Sequence, residues 1–141
     1  MVKLEQEQTG HQRTDREAMG VAAEKLVEAK LLSKGFLVSQ PMLACAYDML
    51  CDYNGHINKV QVRSSRKPQN KCNKYKNYYR FSTAGIGGYT VLVLYVVPTD
   101  TLFFIPWGEL FRHTHNINIP TEGPSKYDKY KEKYDILKET H

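Results

Sequence analysis

The chain has 141 residues, enough for one hydrophobic core and too few for two. Its apolar share of 41% is ordinary for a globular protein and argues against disorder. No run approaches the roughly 20 apolar residues of a membrane span, and the polar opening residues lack the apolar core of a secretion signal, so the sequence predicts one domain over 1–141, cytoplasmic and without a membrane partner.

Cys45, Cys51 and Cys72 are odd in number and show no CxxC pairing, which argues against a disulfide framework and against a structural zinc site. They read as reduced thiols in or near the core.

The first predicted element is a helix from about Asp15 to Ser33. Met19, Ala22, Ala23, Leu26, Ala29 and Leu32 recur at three- and four-residue spacing and make one apolar face. Thr14 or Asp15 suits its start and Gly35 its stop, and Glu24 and Glu28 lie one turn apart. Phe36 to Gln40 reads as a short strand ended by Pro41. Ala46 to Tyr53 and Ile57 to Ser65, joined at Asn54-Gly55, read as a β-hairpin. On its returning arm Val60 and Val62 share one face and Gln61 and Arg63 the other.

Residues 66–77 are rich in Lys and Asn and read as a loop. Tyr78 to Thr83 predicts a strand before the Gly85-Ile86-Gly87-Gly88 turn. Thr90 to Val97 is nearly all apolar, as in a strand buried on both faces. Pro98-Thr99-Asp100 turns the chain into a strand at Leu102 to Ile105, and Trp107 to Phe111 starts a short helix. Residues 114–124 read as a loop. The tail over 125–141 reads as an amphipathic helix, with Tyr127, Tyr130, Tyr134 and Leu137 at helical spacing. The tyrosine stripe suits packing, within the monomer or between subunits. Helix, strand meander and helix together predict a mixed α/β sheet flanked by helices.

Charge is concentrated. Arg63, Arg66, Lys67, Lys71, Lys74, Lys76 and Arg80 fall in one segment with no acid among them, leaving the rest of the chain slightly negative. Such a patch is the footprint of a polyanion binder. His113-Thr114-His115 has the spacing of a chelating pair but lacks a third ligand and reads as surface.

Several motifs follow in order: Gly20-x-x-x-Glu24, Lys34-Gly35-Phe36, Pro41, Tyr47-Asp48-Met49-Leu50, Asp52, Gly55 and Val60-Gln61-Val62-Arg63-Ser64-Ser65. Tyr78-Tyr79-Arg80-Phe81-Ser82 and Tyr89, Tyr95 and Phe104-Ile105-Pro106 come later. Together they resemble the PD-(D/E)XK nuclease superfamily, and within it the small endonucleases associated with group I introns, which carry a Gln-Val-Lys form of the motif. The likeness covers roughly 16–111. It implies an α/β PD-(D/E)XK (restriction-endonuclease-like) core and a metal-dependent DNA endonuclease of the intron-homing type. It also implies metal ligation by Asp48, Glu24, Gln61 and the carbonyl of Val62, with Arg63 completing the catalytic set.

Elementary chemistry is compatible with that assignment. Phosphodiester hydrolysis needs a nucleophilic water, neutralisation of developing charge and help for the leaving oxygen. Mg2+, or Mn2+ in its place, supplies all three and prefers oxygen ligands. Asp48 on one arm of the hairpin and Gln61 on the other can converge at one edge, and Glu24 can reach it from the helix. A carboxylate inside the apolar run around Asp48 is costly unless paired or metal-bound.

Arg63 departs from the family, whose usual residue here is lysine. Arginine keeps the charge but its pKa is too high for a general base. Either Arg63 stabilises charge in the transition state, or cleavage is impaired and a DNA-binding protein remains. Lys67 and Lys34 are candidate stand-ins. A Holliday-junction resolvase-like nuclease is a further reading, disfavoured because resolvases usually carry a carboxylate where Gln61 sits.

In the basic loop the cations suit phosphates, and Gln69, Asn70, Asn73 and Asn77 suit base edges, adenine above all. A two-stranded ribbon around this loop fits the major groove. The implied partner is double-stranded DNA, and a chain this small that cuts both strands implies a homo-oligomer, dimer or tetramer.

Overall fold

The protein, described by a computed structural model over residues 2–70, 77–82, 87–110 and 116–141 with side chains from Glu17 onward, is organised around one hairpin. In chain order its elements are α1 (Val2–Ser33), β1 (Leu37–Ser39), β2 (Met49–Tyr53), β3 (His56–Ser65), β4 (Tyr78–Ser82), β5 (Val91–Val96), β6 (Thr101–Pro106), α2 (Trp107–Leu110) and β7 (Asn116–Pro120). Asn54 and Gly55 turn β2 into β3 with φ of 51° and 87°, as a two-residue hairpin loop of the I′ type requires. The Asp52 carboxylate accepts the Gly55 N–H at 2.9 Å and ties the turn to the strand.

Five strands form a mixed sheet in the order β1-β2-β3-β5-β6, and β4 pairs with β7 in a separate ribbon. Only the β3–β5 pair of the large sheet is parallel. All six residues of β5 are buried, as its unbroken apolar run predicts. One face of the sheet packs Val60, Val62, Val91, Val93 and Phe104 beneath Val27 and Leu31 of α1. The other face packs Leu92, Leu94, Val96, Phe103 and Ile105 beneath Tyr79 and Phe81 of β4 and Ile117 and Ile119 of β7.

Four expectations are corrected. First, α1 begins well before Asp15: Lys3 to Gln8 are good helix formers that leave no apolar stripe to read, and the helix runs on through the weaker Thr9-Gly10-His11. Second, its packed face is Ala23-Val27-Leu31, while Met19, Ala22, Leu26, Ala29 and Leu32 of the predicted stripe are exposed. Apolar residues lie on both sides of this helix, and the sheet takes the side with Val27 and Leu31, each worth roughly 2 kcal/mol of burial. Third, residues 116–120, predicted as loop, form β7; Ile117 and Ile119 are buried between exposed or half-buried Asn116 and Asn118, a two-residue alternation. Fourth, the tail is not an α-helix but two 3-10 turns, Asp128–Tyr130 and Tyr134–Lys138. It crosses the edge of β6, where Glu132 N–H donates to the Leu102 carbonyl and the Glu132 carboxylate accepts the Leu102 N–H. An otherwise open sheet edge is thereby covered. Its tyrosines pack within the monomer, Tyr127 and Tyr130 on one face of the sheet and Tyr134 against Phe104 on the other.

Cys51 is buried as expected, whereas Cys45 is exposed; Cys72 and His113-Thr114-His115 lie outside the described residues. Among the described residues no helix is long and apolar enough to cross a membrane.

The C-terminal part of α1 is pinned to the β5–β6 connection. Asp100, at φ 51°, accepts hydrogen bonds from Tyr95 Oη at 2.6 Å and Lys30 Nζ at 2.9 Å. Those two bonds, from Tyr95 first and Lys30 second, hold its carboxyl below the usual 3.8. A lowered carboxylate contributes stability that is present above 3.8 and lost as pH falls through the folded value. Asp100→Asn, which tolerates the same left-handed backbone, should cost about 1 kcal/mol at neutral pH for so exposed a pair. Urea unfolding at neutral pH and in acid checks this: the gap between variant and parent closes in acid.

Candidate active site

The β2–β3 ladder ends at Asp48, and its end creates a cleft. The Asp48 N–H donates to the Val60 carbonyl at 2.8 Å, the last backbone bond of the pair. One step on, the Val62 N–H donates to Asp48 Oδ2 at 2.7 Å, so a side chain takes the place of the next strand residue. The N–H and C=O of one strand residue point to the same side, so the Val62 carbonyl is directed to the same edge beyond the end of β2.

Gly20, Ala23 and Glu24 of α1 close the cleft from above, with Asp48, Gln61, Val62, Arg63 and Ser64 below. Glu24 reaches it because Ala23 and Val27, beside it on the helix, are the residues packed on the sheet. Burial pushes the Glu24 carboxyl above its ordinary 4.5, and the charge of Asp48 and a hydrogen bond to it push it further, against a smaller opposing effect of Lys25. Glu28, one turn on, is engaged elsewhere: it accepts from Lys25 Nζ at 3.3 Å and from Gln40 Nε2 at 2.9 Å. Gly20 leaves space, since beyond its chain neighbours and the backbone of its own helix turn nothing described lies within 4 Å of where its Cβ would stand, although glycine inside a helix costs about 1 kcal/mol relative to alanine.

The four residues that sequence reasoning assigned to the catalytic set, Glu24, Asp48, Gln61 and Arg63, thus line one cleft together with Val62. Gln61 is half-buried and Arg63 exposed. Of the stand-in lysines, Lys34 lies against the Tyr134 ring at 5.2 Å, about 15 Å along the helix axis from Glu24, and is not part of the cleft. Lys67 is exposed beyond the end of β3 and does not line it. Arg66 is exposed beside Lys67; Arg80 lies on the outward side of the β4–β7 ribbon, between buried Tyr79 and Phe81. Lys71, Lys74 and Lys76, with Asn73, lie outside the described residues.

Three neighbours are given no part in the site by the sequence. Tyr47, beside Asp48, lines an adjoining hollow rather than the cleft itself, and carries Lys59 Nζ 5.7 Å from its ring centroid. Gly88 admits Ala46 so closely that a Cβ there would stand 2.5 Å from Ala46 Cβ. Tyr89 is buried, its hydroxyl finds no hydrogen-bond partner among the described residues, and burial pushes it up to about 12 with Arg63 pulling the other way. Only a close glycine near a turn, as at Gly88, leaves a trace in sequence.

A family model for PD-(D/E)XK endonucleases matches residues 14–136. The chain belongs to that family. Among solved structures, this PD-(D/E)XK chain is similar to a bacterial homing endonuclease, I-Ssp6803I, with 21% identity and a TM-score of 0.71 over 84% of this chain and 88% of that one. At that identity the likeness speaks for the fold. No curated protein matches.

Among the described residues no three His, Cys, Asp or Glu side chains gather as a metal site. The donors available are two adjacent carboxylates, an amide oxygen and a backbone carbonyl, all hard oxygens of the kind Mg2+ accepts while keeping several waters. The upward push that Asp48 exerts on Glu24 is the repulsion a divalent cation would relieve. A raised carboxylate opposes folding increasingly as pH rises from 4.5 through the folded value. Glu24→Gln should therefore raise Tm by a few degrees in chelator at neutral pH, with the gain shrinking as pH falls through the folded value and gone below 4.5. Added Mg2+ should raise the parent's Tm more than the variant's, and thermal scans with and without the ion check both effects.

Proposed function

We propose that this protein is a Mg2+-dependent, site-specific endonuclease that hydrolyses phosphodiester bonds in double-stranded DNA, of the intron-homing type. The observation that carries the reading is the convergence of Asp48 and Glu24 in a cleft shared with Gln61, Val62 and Arg63. Mg2+ would supply Lewis acidity and an ionised water at neutral pH. Asp48, held in place by the Val62 N–H, keeps one oxygen of its carboxylate for ligation. Glu24 adds the second carboxylate, Gln61 an amide oxygen and Val62 its carbonyl. Gln61 brings less negative charge than an acid would, so binding of the ion leans on the two carboxylates.

Arg63 holds a phosphate oxygen pair and stabilises charge as the bond breaks, without taking up a proton. Arg66 and Lys67 at the end of β3, with Lys71, Lys74, Lys76 and Arg80, contact the backbone of the duplex. The arms of the basic loop meet where Gln69 and Tyr78 exchange backbone hydrogen bonds of 2.7 and 3.0 Å, and β4 runs on from there into a ribbon with β7 that fits the major groove and carries Arg80, Asn116 and Asn118 on its outward side. One carboxylate pair serves one strand, so cutting both strands calls for a symmetric homo-oligomer, dimer or tetramer.

Incubation with Mg2+ and a randomised duplex library, followed by end mapping, tests the proposal. Discrete cuts are expected, reduced about a hundred- to a thousandfold in Asp48→Ala. Arg63→Lys should retain cutting and Arg63→Ala should lose most of it. Binding without cutting in the parent, with cutting gained in Arg63→Lys, would identify an impaired site on a DNA-binding protein. Cutting confined to four-way junctions would overturn the homing reading.

A further inference from the structure

Beside the carboxylate pair the chain places two large apolar side chains in contact with solvent. They sit at the tip of the β1–β2 connection, residues 40–46, whose sequence Gln-Pro-Met-Leu-Ala-Cys-Ala contains no charge. Met42 is 101% and Leu43 83% exposed. The connection lines a second hollow together with Glu24 and Asp48, so its tip stands next to the carboxylate pair.

Its base is braced. Gln40 Nε2 donates to Glu28 Oε2 at 2.9 Å, the Cys45 thiol donates to the Tyr47 carbonyl at 3.3 Å, and Ala46 is seated against Gly88. Pro41 fixes one further backbone angle. A braced stalk with an apolar tip is built to meet something apolar. Two side chains by themselves fall well short of the roughly 1,000 Å² that a stable protein interface buries, so the tip alone would not hold a second copy. A DNA backbone would be met by cations, and this segment has none. Base faces are the apolar surface within reach of a phosphodiester, and Met and Leu are among the side chains that proteins insert between base steps from the minor groove. A two-residue tip fits that narrow groove, whereas a two-stranded ribbon needs the wider major groove.

We propose that Met42 and Leu43 form a wedge that enters the minor groove of duplex DNA beside the scissile phosphate and opens a base step. This deepens the nuclease reading above and rests on it. The wedge holds the strand at a fixed kink, which presents the phosphate to Asp48 and Glu24.

The test compares the full-length parent with a Met42→Ser, Leu43→Ser double variant and with Met42→Leu. Short mixed-sequence duplexes with 2-aminopurine at successive positions serve as probes, and both affinity and fluorescence are read. The parent should raise 2-aminopurine fluorescence on binding. The double variant should bind within about twofold of the parent yet give no rise, and its cleavage in Mg2+ should fall about tenfold. Met42→Leu should behave as the parent, and an abasic site at the mapped cut, which opens the stack in advance, should restore cleavage by the double variant.

An equal fluorescence rise in parent and double variant overturns the wedge, and so does lost cleavage that the abasic duplex does not restore. A shift of the double variant to a smaller oligomer on gel filtration also overturns it, and assigns the tip to self-association. A parent that binds duplex DNA but never cuts defeats the nuclease reading alone, and the fluorescence comparison still decides the wedge. A parent that does not bind duplex DNA overturns both.

Discussion

The hydrogen bond from the Val62 N–H to Asp48 Oδ2, at 2.7 Å, is the contact on which the site depends. It replaces a ladder bond at the point where β2 leaves β3. A strand that simply ended would leave the Val62 N–H to water, and a strand that continued would cover the Val62 carbonyl. The substitution of a carboxylate for a peptide group does neither. It satisfies the donor, fixes the carboxylate and leaves the strand edge open for chemistry. The I′ turn at Asn54-Gly55 sets the register that makes this possible, since a slip of one residue would place Asp48 opposite a residue of the other face.

The second constraint is the rotation of α1 about its axis. Ala23, Val27 and Leu31 are held against the sheet, and Glu24 follows them into the cleft. Lys30, bonded to Asp100, which Tyr95 also holds, prevents the helix from rolling. Glu28 meanwhile holds Gln40, so one face of a single helix serves the core, the carboxylate pair and the apolar-tipped connection. The carboxylates of Glu24 and Asp48 are thus brought together by packing forces that have nothing to gain from their proximity. The raised Glu24 carboxyl records that cost.

Arg63 shares its face of β3 with Gln61, and it is exposed enough to meet a phosphate from solvent. Its guanidinium also acts on the buried hydroxyl of Tyr89, from which the chain runs directly into β5. Position and charge match what a lysine would bring to the motif; proton affinity does not. The chemistry assigned to Arg63 is therefore electrostatic, and the donors around Asp48 carry the rest.

Much was legible in the sequence because it is local. Asn54-Gly55 can hardly be anything but a tight turn, the alternation of Val60 and Val62 with Gln61 and Arg63 sets the faces of β3, and the unbroken run at Val91–Val96 belongs in the middle of a sheet. Asp48 stands out because a carboxylate in an apolar run needs a reason, although it lies one residue ahead of β2. Tertiary structure decided the matters in which local preference was divided. Two apolar stripes competed on α1, and only docking chose Ala23-Val27-Leu31 over Met19-Leu26-Leu32. The tail has helical spacing yet forms 3-10 turns, because Glu132 is drawn to the open edge at Leu102. The strand at Asn116–Pro120 exists because β4 offers it a partner. Amino-acid order thus specified which residues could do chemistry, and packing determined which of them meet, because a carboxylate's neighbours across a cleft are set by the faces that helix and sheet bury elsewhere.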